Sequence, residues 1–328
     1  MTGHRRLQWI VLSIAGALAL LVGLYALSWR VRTIARGLID GQGRNVTRVQ
    51  DRAKTVVVSS LPRLVADYYP ASGTGLLVLL VHGSSPEGRR SGICRLVARR
   101  LSADGFPVLA LDLRGFGGSD DPPMPLEPGF GFEADIAAAA RYALRGGLSG
   151  DGRIVYVGHS LGAGVVLRAA DLSPRPAGIV AIGAPATRAA LDRGGEAWRR
   201  RFAAERLHAM GMRPDRTSLE VMGAYLGEMD VVTQLRRPDR PPICLIYGGR
   251  EFEASYVQRR LSAESLRCDV HVVSGAPHSY HIVEGPLGLI FFNRRFLDEV
   301  VAEIERWIRG IPGRESPGAR PLADSGPP

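Results

Sequence analysis

Apolar and polar positions divide the chain into short aliphatic runs and longer amphipathic ones. Residues 76–81 and 107–113 are nearly all aliphatic and read as strands buried on both faces. Residues 154–157, 178–182, 241–247 and 269–274 repeat the signal. Between them lie helical patterns. Residues 91–102 carry Ile93, Leu96, Val97 and Leu101 at helical spacing, and Asp104-Gly105 stops the pattern. Residues 132–144, 163–170, 254–262 and 292–308 read the same way. Residues 54–60 and 63–71 predict two more strands joined at Leu61-Pro62. Strands alternating with helices in this way predict an α/β domain over residues 54–310: a mostly parallel sheet with helices on both faces. Residues 186–240 break the rhythm. They are arginine-rich, show helical spacing at 198–210 and 219–226, and contain no strand pattern, so they read as a helical insertion.

The two ends differ from this body. Residues 7–27 form an uncharged apolar run, interrupted by Gln8, Ser13 and two glycines and flanked by arginines. Such a run spans roughly 30 Å as a helix, the thickness of a hydrocarbon core. Residues 1–30 are therefore expected to be a single-pass transmembrane anchor, which places the protein in a membrane, the bacterial inner membrane. The side on which the rest of the chain lies stays open. Residues 31–53 read as a polar linker, and residues 311–328, rich in proline and glycine, as a disordered tail.

Composition narrows the function. An apolar content of 45% and a charged content of 23% are ordinary for a globular protein. The formal charge of +10 is arginine charge, since Lys54 is the only lysine. That excludes a Gly-x-x-x-x-Gly-Lys phosphate loop. The arginines are scattered and form no aromatic-interleaved patch, so no nucleic-acid partner is implied. Cys94, Cys244 and Cys268 form no Cys-x-x-Cys pair and read as small buried hydrophobes. Gly115 and Gly117 open a Gly-x-Gly-x-x pattern, but Asp120 stands where a dinucleotide site needs its third glycine.

The chemistry centres on Gly158-His159-Ser160-Leu161-Gly162, set between an apolar strand and a helix. A serine hydroxyl is a weak nucleophile and must stand exposed beside a base. A sharp turn lifts Ser160 clear of the sheet and puts the Leu161 N–H at a helix N-terminus, where it can bind a developing oxyanion. Of the seven histidines, the positions of five argue against the role of base. His278 and His281, just after the last strand, remain. A zinc pair is the alternative reading of this His-x-x-His, but no third ligand has matching spacing.

Four motifs now stand together: Leu80-Val81-His82-Gly83, Asp112-Leu113-Arg114-Gly115-Phe116-Gly117-Gly118-Ser119, Gly158-His159-Ser160-Leu161-Gly162 and Pro277-His278. In these the chain resembles the α/β-hydrolases, esterase and monoacylglycerol-lipase-like members above all, over residues 54–310. The resemblance implies Ser160 as nucleophile and His278 as base, with the Leu161 and Ser84 N–H groups as the oxyanion hole. It makes Asp112 and Arg114 structural and residues 186–240 a substrate-shaping cap. The triad acid departs from the family pattern. Where Gly-x-x-Asp is common, this chain has Gly248-Gly249-Arg250-Glu251, so Glu251 is the expected acid. If the segment is extended, Glu253 points away. The implied function is a membrane-anchored serine hydrolase of carboxylic esters, lipid esters included, with no metal and no cofactor. The alternatives are a peptidase or thioesterase using the same triad, or a non-catalytic binding protein that kept the fold.

Overall fold

The computed structural model describes residues 3–27, 45–48, 53–73, 75–124, 126, 129–285 and 288–312. The eleven strands among these residues are β1 (Asn45–Arg48), β2 (Lys54–Ser60), β3 (Arg63–Tyr69), β4 (Leu77–Val81), β5 (Val108–Leu111), β6 (Ile154–His159), β7 (Gly178–Ile182), β8 (Ile243–Gly248), β9 (Asp269–Val273), β10 (Val283–Glu284) and β11 (Leu289–Phe292). The main sheet runs β2-β3-β5-β4-β6-β7-β8-β9. Its strands from β5 to β9 pair in parallel, and the β2–β3 hairpin adds an antiparallel edge. Pro70 follows β3 directly and cannot donate to a ladder, which explains why that strand is shorter than the pattern predicts.

Every residue of β4, β5, β7 and β8 is buried, because helices cover both faces. The pleat divides the side chains between two cores. Leu77, Leu79 and Val81 of β4 enter one layer, packed with α3 (Phe132–Arg145), α4 (Leu161–Arg168) and the buried residues of α8 (Phe252–Glu264). Val78 and Leu80 enter the other, packed with α2 (Gly92–Ala103) and α9 (Arg294–Arg309). In α9 the buried Phe296, Leu297, Val300, Val301, Ile304, Trp307 and Ile308 form one apolar stripe. Asn293 caps it, its side chain accepting from the Phe296 N–H at 3.3 Å.

The insertion folds as α5 (Thr187–Ala209), α6 (Arg216–Glu228) and α7 (Val231–Leu235). Helix α5 breaks at Gly195, where φ is 59°. Asp215 starts α6 with a reciprocal capping box to Ser218. Asp230, buried, starts α7 by accepting from the Thr233 N–H at 3.0 Å.

Two findings differ from the sequence expectations. Residues 45–48, within the stretch read as linker, form β1 and pair antiparallel with β11, which also pairs with β10. The other concerns the expected anchor, residues 1–30, where the described helix is α1 (Gly3–Leu27). A span requires about 20 apolar residues. Among the described residues no helix is long and apolar enough to cross a membrane. This corrects the expected anchor, and with it the membrane partner and the inner-membrane placement. The rest of the expected linker and residues 313–328 of the expected tail lie outside the described residues.

Candidate active site

The parallel strands deliver their C-terminal ends to one edge of the sheet, where an open α/β sheet offers a crevice. A cavity of about 1040 Å³ lies there, walled on one side by α5 of the insertion. Ser84, Ser160, Leu161, Glu251 and His278 all line it.

Ser160 follows β6 and precedes α4. Its φ of 54° and ψ of −114° are strained for a residue with a side chain. Hydrogen bonds on both sides hold it there. The Ser160 N–H donates to the Ile182 carbonyl at 2.8 Å, and the Ser160 carbonyl accepts from the Ala163 N–H at 3.0 Å. The flanking glycines make the turn possible. A Cβ on Gly158 would lie 2.4 Å from the Gly162 carbonyl oxygen, and one on Gly162 would lie 2.4 Å from that of His82. The Leu161 N–H opens α4, among the first-turn donors that lack an intrahelical acceptor.

The loop after β4 passes directly over this turn, since a Cβ on Gly83 would sit 3.1 Å from Ser160 Cβ. His82 fixes the loop. The Leu113 N–H donates to His82 Nε2 at 3.1 Å, which puts the ring proton on Nδ1, and Nδ1–H donates to the Gly83 carbonyl at 2.6 Å. Burial pushes the His82 pKa down, which keeps the ring neutral. Further along the loop Arg89 is buried between Asp67 and Asp112, with Nε 3.0 Å from Asp67 Oδ1 and Nη1 paired to Asp112. Asp112 also accepts from the Arg89 and Gly118 N–H groups at 2.6 and 2.8 Å. Arg114 pairs with buried Asp135, Nε to Oδ1 at 2.9 Å. Asp112 and Arg114 thus brace loops and do not line the cavity.

His278 comes from the loop after β9. Its Nε2 lies 2.9 Å from Ser160 Oγ and its Nδ1 2.5 Å from Glu251 Oε2. Glu251 is buried, and its other oxygen accepts from the Gly248 N–H at 2.5 Å. Burial opposes the His278 imidazolium, but the Glu251 hydrogen bond and the charges of Glu251 and Glu253 outweigh it, and the pKa is raised. Glu251 has extended dihedrals, φ −81° and ψ 128°, but as the N-cap of α8 it ends the extended stretch, and Glu253 already belongs to that helix. Glu253 lines the cavity, and burial pushes its pKa up. Asp230 is committed to α7 and to the Arg188 N–H at 3.2 Å. His281 stacks on Phe296 with centroids 5.7 Å apart.

Three features went unread in the sequence. The His159 Nε2–H donates to the His278 carbonyl at 3.3 Å, and burial followed by the nearby His278 pushes the His159 pKa down to about 3. Gly183, with φ 59°, lies so close to His278 that a Cβ would be 2.7 Å from Cε1. Arg206 of α5 brings a buried cation to the cavity wall. A positive-φ glycine gives no signal in an apolar strand end, and one arginine is invisible among many. Among the described residues no group of three or more His, Cys, Asp or Glu could hold a metal ion.

Solved structures with the same fold include an esterase of Pyrococcus furiosus, with TM-score 0.55 and 18% identity, covering 80% of this chain and 91% of that one. A soluble variant of the Saccharomyces cerevisiae monoglyceride lipase, in complex with a substrate analog, matches with TM-score 0.55 and 13% identity, covering 80% and 94%. An E-2-(acetamidomethylene)succinate hydrolase matches with TM-score 0.51 and 22% identity, covering 78% and 98%. At these identities the likeness is one of fold. A search of curated proteins returned no match. The model of the alpha/beta hydrolase family matches residues 78–289, well over half of the chain, and the chain belongs to that family.

Proposed function

We propose that this hydrolase cleaves carboxylic esters through an acyl-enzyme on Ser160. The observation that carries the reading is the unbroken chain of hydrogen-bonding atoms from Ser160 Oγ through both ring nitrogens of His278 to Glu251. In this scheme Ser160 Oγ attacks the ester carbonyl while His278 Nε2 takes its proton. Glu251 holds the Nδ1–H tautomer and steadies the imidazolium as it forms. The Leu161 and Ser84 N–H groups, from two loops that touch, receive the oxyanion. His278 then protonates the leaving alcohol, and a water activated by the same nitrogen releases the acid. Residues 54–310 act as the catalytic domain, with residues 186–240 as a cap that closes the substrate cavity.

Neighbours of the same fold include an esterase, a monoglyceride lipase and a proline iminopeptidase, so the assay sets esters against peptide amides. The test is labelling with a fluorophosphonate, followed by turnover of a p-nitrophenyl ester series. Ser160→Ala is expected to abolish labelling and to lower turnover by about 10³-fold or more. Undiminished turnover by the pure, folded variant would refute the reading. Cleavage of peptide amides without cleavage of esters would replace it with a peptidase.

A further inference from the structure

We propose that Arg206 is a specificity-determining residue that binds a carboxylate on the substrate, so that the preferred esters are acidic ones. The inference rests on the ester-hydrolase reading and names its substrate class.

Arg206 lies near the C-terminal end of α5, on the wall of the cavity that holds Ser160 and His278. Its side chain is 9% exposed. The guanidinium sits over the Phe202 ring, 3.0 Å from the centroid, and Nη1–H donates to the Phe202 carbonyl at 3.1 Å. Nε is buried and has no hydrogen-bond partner. The carboxylate beside it is Glu205, 3.5 Å away and 59% exposed, so water screens most of that attraction. A guanidinium carries five donors, and a buried charge is normally paired and hydrogen-bonded. Burial pushes the Arg206 pKa down to about 9, which still leaves it charged at neutral pH. The result is a buried cation whose Nε donor is unmet, close enough to His278 to oppose its protonation.

The acidic residues of the cavity do not meet this need. Glu251 is committed to Gly248 and His278. Glu87 accepts from Ser85 Oγ at 2.6 Å, and Glu284 accepts from the Gly92 N–H. Burial and the Glu251 charge both raise the Glu253 pKa. These carboxylates also limit what can enter. A singly charged, planar carboxylate matches the guanidinium fork. It suffers less repulsion from the surrounding glutamates than a dianionic phosphate.

The test compares kcat/KM for paired esters that differ only in charge. Mono-p-nitrophenyl glutarate is set against its methyl ester, and 4-acetoxybenzoate against 4-acetoxybenzamide. The first pair puts the carboxylate on the acyl part and the second on the alcohol part. The wild type is expected to prefer the acid in at least one pair. Arg206→Gln should lower that preference by about 10- to 100-fold, the worth of one charge-assisted hydrogen bond. Arg206→Lys should restore part of it. Equal use of acid and neutral esters by the wild type in both pairs overturns the proposal, as does a preference unchanged in Arg206→Gln. Calorimetry with free glutarate keeps the two readings apart. If Ser160 takes no fluorophosphonate and no ester is cleaved, the hydrolase reading fails. Glutarate binding that is lost in folded Arg206→Gln still supports the anion site, and no binding to the wild type overturns it.

Discussion

Replacing Glu251 by glutamine changes one atom in the site and reverses a hydrogen bond. The carboxylate accepts twice, from the Gly248 N–H and from His278, each at 2.5 Å. A glutamine at the same place has one acceptor and one donor, so it can satisfy one of the two. If its oxygen stays on Gly248, its NH₂ faces Nδ1 and stabilises the tautomer with the proton on Nε2, which cannot take a proton from Ser160. If its oxygen turns to His278, two N–H donors confront each other in a buried place, at about 1–3 kcal/mol. Either outcome removes the negative charge that steadies the imidazolium. We expect Glu251→Gln to lower kcat by about 10²- to 10⁴-fold, the upper figure being the full cost of the wrong tautomer. The pH profile adds a second readout. The base works only when neutral, and Glu251 raises the His278 pKa. The acid limb of kcat/KM should therefore move to lower pH in the variant while the plateau falls. Glu253→Gln should retain most of the turnover, because Glu253 acts on His278 through charge and not through a hydrogen bond. Stopped-flow p-nitrophenyl ester hydrolysis from pH 5 to 9 measures all of this. Turnover within threefold of wild type in Glu251→Gln, with an unmoved acid limb, would show that Glu251 does not orient the base.

Gly183→Ala would place a methyl 2.7 Å from His278 Cε1 on a backbone with φ 59°. It should cost about 100-fold in kcat, the penalty for roughly 1 Å of misplacement. Retained far-UV circular dichroism and unchanged turnover would count against it. Arg89→Met leaves Asp67 and Asp112 buried without their cation. It should destabilise the fold by about 3–5 kcal/mol in urea titrations. A loss under 1 kcal/mol would mean that these carboxylates take up protons or find other partners.

The strands and helices of the main sheet were legible because they are strongly patterned, and several are bounded by glycine or proline. The tight turn at Ser160 between β6 and α4 was legible because Gly158 and Gly162 bracket it after an apolar strand. Strand β1 was not. Four residues with Asn45 and Thr47 alternating with Val46 and Arg48 carry no apolar face, and their pairing depends on β11, over 240 positions away. The start of α8 at Phe252 was missed because Gly248-Gly249 suggests an open loop, whereas backbone bonds close it. Arg206 could not be read because its importance comes from burial against Phe202, and α5 offers other arginines at helical spacing. The apolar run at the N-terminus shows the opposite case. Hydropathy alone predicted a span there that the described helix does not provide.

The departure from aspartate at the acid position sets a last, sharper test. The turn carrying Glu251 is pinned at three points: the Gly249 N–H to the Val273 carbonyl at 2.8 Å, the Arg250 N–H to that of Ala276 at 2.9 Å, and the Glu251 N–H to that of Gly248 at 2.9 Å. The first two bonds tie it to β9 and to the loop that carries His278, so it cannot advance toward the imidazole on its own. Gly248 marks how tight the fit is, since a Cβ there would lie 2.4 Å from the Ala276 carbonyl oxygen. An aspartate is one methylene shorter and would withdraw its carboxylate by about 1.5 Å, a single carbon–carbon bond. The 2.5 Å contact to His278 would open toward 4 Å, beyond hydrogen-bond reach. The charge would remain nearby, which separates this variant from Glu251→Gln. Glu251→Asp should keep only the part of the raised His278 pKa that comes from charge, losing the larger part that comes from the hydrogen bond, and should lose about 10- to 100-fold in kcat as the orientation is lost. Full activity in Glu251→Asp would show that the turn can slide, and that the length of the side chain is not what the pinned loop selects.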